Sequence, residues 1–196
     1  EVLKLLGVEE NQRDCLAVPS NEPIIKVEKL SHRYPQSDNM SLNDVSFMVN
    51  RGEVLGIVGP NGSGKSTLLF LMHGLRKASR NRVLIEGKNV AQMDFPVLAV
   101  KQGVLFQNPN HQIFASSVEE ELRFGLKNLE LDELEIERRI KLVSNFLNFE
   151  DLSRDPHSLS YGQRKLLSLA TVLAMNPAVI LLDEPELGMD VGFMDK

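Results

Sequence analysis

The sequence predicts an α/β fold with a mostly parallel sheet, on three observations. Val54-Leu55-Gly56-Ile57-Val58 is a nearly continuous apolar run, the pattern of a strand covered on both faces. A second such run, Val179-Ile180-Leu181-Leu182, lies far downstream. Helical patterns separate the two, and buried strands joined through helices belong to parallel sheets.

The elements follow in chain order. Residues 1–12 carry Val2, Leu3, Leu5, Leu6 and Val8, enough for a helical turn or two. Pro19-Ser20-Asn21-Glu22-Pro23 reads as a linker. Ile25, Val27 and the segment Val45-Phe47-Val49 alternate with polar neighbours, as half-buried strands do. Leu68, Leu69 and Leu71 continue a glycine-rich turn as a helix, and Val104-Leu105-Phe106 forms a further apolar strand. Residues 131–149 read as a helix with Leu134, Ile140, Val143 and Leu147 as its apolar stripe. Glu133, Glu135 and Glu137 are expected on its solvated face. His32, His73, His111 and His157 read as surface or loop residues.

The 196 residues suffice for one sizeable core. A net charge of -5, spread without long blocks of one sign, argues against a dedicated nucleic-acid surface. Cys15 is the single cysteine, so neither an internal disulfide nor a cysteine-based zinc site can form, and a reducing compartment is expected. No apolar run reaches the roughly 18 residues that span a bilayer, so a membrane role requires a membrane partner.

Gly59-Pro60-Asn61-Gly62-Ser63-Gly64-Lys65-Ser66-Thr67 fits G-x-x-x-x-G-K-[ST]. Glycines allow positive φ, so successive N–H groups can converge on phosphate oxygens. The helix opening near Lys65 aims its positive dipole end at the same place. Lys65 is expected to reach the β- and γ-phosphates, and the Ser66 hydroxyl to ligate magnesium. The downstream apolar run ends in Asp183-Glu184. Neighbouring strand residues face opposite ways, so the two carboxylates divide the work. One can hold the magnesium shell while the other polarises a water at the γ-phosphate.

With these motifs in hand, the chain resembles the ABC-type ATPases. Leu159-Ser160-Tyr161-Gly162-Gln163, followed by Arg164-Lys165-Leu166, is similar to their LSGGQ signature. Asp183-Glu184-Pro185 and Gly188-Met189-Asp190 fit the spacing of their Walker B motif and D-loop. Gln107 matches the Q-loop glutamine, and Tyr34 lies where the family places an aromatic ring against adenine. Phe106-Gln107-Asn108-Pro109, Gln112-Ile113-Phe114-Ala115, Val118-Glu119-Glu120 and Leu173-Ala174-Met175-Asn176-Pro177 narrow the likeness to the ATPases of energy-coupling-factor and cobalt/nickel importers. The resemblance implies a P-loop NTPase with an N-terminal antiparallel β subdomain and an α-helical subdomain inserted at about residues 108–173. It implies ATP and Mg2+ as ligands, with Glu184 and Gln107 catalytic and Ser66, Gln107 and Asp183 around the metal. Ser160, Tyr161, Gly162 and Gln163 would bind the γ-phosphate of a second ATPase domain, with Asp190 in the D-loop contact. The partners implied are that second domain, as homodimer, heterodimer or tandem fusion, and an integral membrane subunit gripped by residues 107–124. No nucleic-acid partner is expected, and the implied location is peripheral, at the cytoplasmic face of the membrane.

Departures from the pattern carry their own expectations. Tyr161 replaces the first glycine of the signature pair, and its ring is expected to turn away while Gly162 approaches the phosphate. Glu186-Leu187-Gly188-Met189 replaces a more usual small polar run before Asp190. The family's switch histidine is expected beyond Lys196, and no other histidine stands in for it by position. The chain opens on Glu1-Val2-Leu3-Lys4-Leu5-Leu6-Gly7-Val8, similar to the tail of a preceding ATPase domain and equally readable as a plain leader helix. A C-terminally truncated piece is therefore expected, with residues 1–22 as tail or linker and 23–196 as an incomplete ATP-binding domain that binds ATP weakly alone. Import of a vitamin or transition-metal ion through a membrane subunit is the leading expectation. The alternatives are a soluble ABC ATPase acting on ribosomes or DNA, and a nucleotide-dependent dimerisation module with little turnover.

Overall fold

The computed structural model describes residues 21–77, 80–147, 149 and 151–184. Cys15, the segment Glu1–Val8 and the D-loop stretch 185–190 with Asp190 lie outside the described residues. The chain divides at Ala99 into two units, each with its own packing.

In the first unit the alternating segments become strands β1 (Pro23–His32) and β2 (Leu42–Asn50), joined by β3 (Arg80–Ile85) and β4 (Lys88–Asn89). All pairings are antiparallel, in the order β2-β1-β3-β4. Ile25 sits opposite Val49 on one side and Ile85 on the other. This register buries Ile25, Val27, Leu30, Val83 and Ile85. Glu86 and Gly87 close the β3–β4 hairpin with φ of 48° and 74°, the two positive values that a tight two-residue turn demands. Helix α1 (Lys65–Met72) buries Leu68, Leu69, Leu71 and Met72. Helix α2 (Phe95–Lys101) buries Leu98.

One expectation fails here. The run 54–58 carries no ladder, and Val54 and Val58 are each 96% exposed. A strand apolar on both faces holds only between neighbours that hydrogen-bond to it, and no described strand pairs with this run. Two histidines also depart from the surface reading: His32 and His73 are both buried.

The second unit holds β5 (Gln102–Leu105) and β6 (Val179–Leu182), paired in parallel from Gln102↔Val179 to Leu105↔Leu182. This is the parallel ladder among the described residues. Parallel strands require a long crossover, and here it contains α3 (Val118–Lys127), α4 (Glu133–Leu147) and α5 (Tyr161–Met175). Strand β6 is buried on one face only, since Ile180 and Leu182 are 38% and 42% exposed. The continuous apolar run thus overstated its covering.

Helices α3, α4 and α5 share one core of Val118, Leu122, Leu126, Ile136, Ile140, Val143, Leu167 and Ala170. Each fully buried leucine in it contributes about 2–3 kcal/mol. Leu134, expected in the stripe of α4, is 83% exposed, and Ile136 takes the buried position. The glutamates of α4 do more than solvate it. Glu133 and Glu137 both pair with Arg123, which also meets Glu119 at 3.1 Å. Glu135 pairs with Arg138 and Arg139, each at 2.7 Å. The Arg138 hydrogen bond, seconded by Arg139, lowers the Glu135 carboxyl to about 2.

Candidate functional site

In the first unit the phosphate loop is shaped by two glycines in the left-handed region, Gly62 at φ 80° and Gly64 at φ 97°. Gly64 is required twice, because a Cβ there would lie 2.6 Å from the Ser41 carbonyl oxygen. Ser63 N–H donates to the Pro60 carbonyl at 3.2 Å and closes the turn. Gly64 then caps α1 with no side chain bonded over the helix start. A helix N-terminus in that state presents first-turn N–H groups and a positive dipole end to an anion. Lys65 Nζ donates to the carbonyls of Gly59 and Pro60 at 2.9 and 3.1 Å, which folds the ammonium over the loop. Asn61 and Ser63 are exposed and Ser66 is half-buried.

Thr67 has another occupation. It is buried, and its hydroxyl shares a 2.9 Å hydrogen bond with that of Tyr34. The Tyr34 ring carries the Arg76 guanidinium 4.9 Å from its centroid and meets the edge of His32 at 5.1 Å. Tyr34 is therefore a half-buried platform anchored to α1, with a cation on its face. Nothing in the local spacing marked Arg76 for this place.

In the second unit Asp183 and Glu184 follow β6, and the Asp183 N–H extends the hydrogen bonding to the Leu105 carbonyl at 3.0 Å. Asp183 is 6% exposed, whereas Glu184 is half-buried. Glu184 has φ 47°, a left-handed conformation that costs a non-glycine residue on the order of 1–2 kcal/mol. Its carboxylate accepts a short hydrogen bond from Gln107 Nε2. The carboxylate expected to polarise a water is thus latched to the Q-loop glutamine.

The signature segment opens α5. Ser160 Oγ accepts from Gln163 N–H at 3.2 Å, and Gln163 Oε1 accepts from Ser160 N–H at 3.0 Å, a reciprocal capping box. Tyr161 turns to its own unit, its hydroxyl donating to the Gln107 carbonyl at 3.0 Å. Gly162 is half-buried in the first turn. Arg164 donates to the carbonyls of His157 and Leu159 at 3.2 and 2.6 Å, which fixes the approach to the signature. Two further residues escaped the sequence reading. Lys165 is fully buried, its ammonium turned onto backbone carbonyls of the Q-loop and of Glu184. Glu121 is 4% exposed and accepts from the N–H groups of Phe114 and Ala115 at 2.9 and 2.8 Å. That bond presents Phe114, 60% exposed and edge-on to Phe124. A buried charge facing its own backbone leaves no periodic signal.

The residues fit the ligands expected of them. Two left-handed glycines and an uncapped helix start suit a phosphate chain, and the ammonium of Lys65 supplies the opposite charge. Within the second unit Gln107 and Asp183 offer hard oxygen donors of the kind magnesium takes, and within the first the Ser66 hydroxyl offers another. Among the described residues no group of three or more His, Cys, Asp or Glu is placed to hold a metal ion.

Residues 42–186 match the sequence profile described as ABC transporter, about three-quarters of the chain. The chain belongs to that family. It is 39% identical over 170 residues to the energy-coupling factor transporter ATP-binding protein EcfA of Methanococcus maripaludis, which covers 85% of this chain and 61% of that protein. It is 42% identical over 167 residues to EcfA of Carboxydothermus hydrogenoformans, covering 85% of this chain and 62% of that one. The chain thus spans about three-fifths of the length of these curated relatives. Among solved structures, cbiO1 from Clostridium perfringens, part of the ABC transporter complex cbiONQ, aligns with a TM-score of 0.73 at 36% identity, over 87% of this chain and 68% of that one. An ATP-binding cassette solved as a dimer in a post-hydrolysis state with ADP and Pi aligns with a TM-score of 0.77 at 26% identity, over 87% of this chain and 78% of that one. The family brings the P-loop NTPase fold with it.

Proposed function

We propose that the chain is the ATP-binding and hydrolysing part of an energy-coupling-factor-type importer. The observation that carries the reading is the phosphate loop: left-handed Gly62 and Gly64, an α1 start without a side-chain cap, and Lys65 folded over it. In this reading the loop N–H groups and Lys65 hold the β- and γ-phosphates, and Tyr34 stacks on adenine after Arg76 yields its face. Ser66 of the first unit and Gln107 and Asp183 of the second are the donors that would hold magnesium, which would supply charge neutralisation at the phosphates. Glu184 orients a water and takes its proton as the water oxygen bonds to the γ-phosphorus. The bond from that phosphorus to the bridging oxygen breaks, and ADP and phosphate leave. A positioned general base contributes about 10²–10⁴-fold. For Glu184 to reach a water, its bond to Gln107 must open, so turnover requires the Q-loop to move.

Ser160 and Gly162 serve the γ-phosphate of a second ATPase domain, and Asp190 contributes to the same association. No described helix is long and apolar enough to cross a membrane. The transport proposed here acts through a separate membrane subunit at the cytoplasmic face. The relatives named EcfA and the cbiO1 neighbour support this choice. Co-purification of the tagged protein from solubilised membranes tests the partner, and Mg2+-dependent phosphate release tests the chemistry. A membrane protein recovered together with phosphate release that Lys65→Ala abolishes is the expected result. Recovery of ribosomes or DNA, or phosphate release insensitive to Lys65→Ala, refutes it.

A further inference from the structure

Lys165 has a relative exposure of 0%. Its Nζ donates to the carbonyls of Phe106 at 3.1 Å, Gln107 at 2.9 Å and Glu184 at 3.1 Å. Three carbonyl acceptors match the three donors of an ammonium, and in a low-dielectric interior such bonds are strong and their loss is costly. Four residues earlier, Tyr161 Oη donates to the same Gln107 carbonyl at 3.0 Å. Residues i and i+4 share one face of a helix. One face of α5 therefore grips the Q-loop backbone through three hydrogen bonds and the backbone of Glu184 through one. The Gln107 side chain closes the circuit onto the Glu184 carboxylate. The gripped end of α5 is the signature itself, stiffened by the Ser160–Gln163 capping box.

We infer that Tyr161 and Lys165 are positioning residues that couple the Q-loop to the start of α5, so that displacement of Gln107 carries Ser160 and Gly162 with it. The inference rests on the proposed function for its consequence: movement at one nucleotide is delivered to the surface that meets the other. Tyr161, out of pattern beside glycine, acquires a role by this route. A carbonyl shared by a hydroxyl and an ammonium cannot shift without both donors following or letting go.

Hydrogen exchange on the full chain tests the coupling without requiring catalysis. The Asn108 side chain accepts from Asn110 N–H at 3.0 Å and caps the turn Pro109–His111. Asn108→Gly therefore loosens the Q-loop without touching α5. Exchange at the Ser160 and Gln163 amides is expected to speed up about fivefold, the size of a modest coupling between sites. With Tyr161→Phe and Lys165→Met in place, Asn108→Gly is expected to leave those amides unchanged. Equal acceleration in both backgrounds, or none in either, overturns the inference, because a merely structural lysine would add its effect independently. Should Lys165→Met fail to fold, Tyr161→Phe alone removes one oxygen from a residue 38% exposed and is expected to cut the acceleration to about twofold. An undiminished fivefold acceleration there overturns the inference equally. Steady-state ATP turnover of the same variants separates the two readings. The paired variant is expected to lose about tenfold in kcat with KM within twofold, and Lys165→Arg to recover part of it. A wild type without turnover refutes the proposed hydrolysis and leaves the exchange result to decide the coupling.

Discussion

Two glycines of the phosphate loop are held in the left-handed region for reasons that an alanine scan can separate. At Gly62 φ is 80° and an added Cβ meets nothing within 4 Å, so alanine there carries only the backbone term. That term is about 1–2 kcal/mol for an L-residue in this region. At Gly64 φ is 97°, and the added Cβ falls 2.6 Å from the Ser41 carbonyl oxygen and 3.0 Å from Leu42 Cδ2. A backbone oxygen cannot swing aside as a side chain does, so the loop or β2 must shift, adding about 1–3 kcal/mol. The two terms together reach about 3 kcal/mol at Gly64. If the loop absorbs them, ATP affinity falls about tenfold for Gly62→Ala and about a hundredfold for Gly64→Ala, at 1.4 kcal/mol per decade. Titration with a fluorescent ATP analogue measures both, and denaturant unfolding reports any share taken from the fold. Equal losses in the two variants, or wild-type affinity for Gly64→Ala, would refute the steric reasoning.

Other expectations follow from packing and charge. Glu121→Ala strips two partly buried N–H groups of their acceptor and is expected to destabilise the chain by about 1–3 kcal/mol, with Glu121→Gln recovering more than half; denaturant melts check this. Gly103→Ala would place a Cβ 2.3 Å from Val172 Cγ1, so a loss of about 2–3 kcal/mol is expected, most of it restored by Val172→Ala in a double-mutant cycle. Glu135 gives a pH dependence whose sign is fixed. Its carboxyl is lowered in the folded state from 4.5 to about 2, so its contribution is present above the ordinary value and is lost as pH falls through that window. Circular dichroism during acid titration should show Glu135→Gln flattening the loss between those values. High salt should act the same way on the Arg138 pair, because Arg138 is exposed and its charge is screened.

What the sequence made legible was whatever local spacing encodes. The glycine pattern located the loop, because only glycine tolerates φ near 80–97° at Gly62 and Gly64. Ser160 was readable as a helix cap, because an N-cap serine followed three residues later by Gln163 is a local device. The misreadings concern burial decided by distant partners. Leu134 and Ile136 are both apolar, and only the placement of α3 and α5 selects Ile136 for the core. The run 54–58 is apolar enough for a covered strand, but a ladder needs neighbours that composition does not supply. Lys165 and Glu121 were invisible for a related reason. Charged residues in a helical pattern count as solvated until the fold turns backbone carbonyls or N–H groups toward them. Tyr161 was recognisable as a departure, while its partner, 54 positions earlier, was not.

The most direct test of ATP hydrolysis at this site is a comparison of Glu184→Gln with wild type, following radiolabelled ATP in the presence of Mg2+. Glu184→Gln keeps the shape and removes the proposed base, so it is expected to bind ATP with wild-type affinity while phosphate release falls at least about a hundredfold. Equal phosphate release from the two proteins, at equal ATP binding, would contradict the assignment of Glu184 as the catalytic carboxylate.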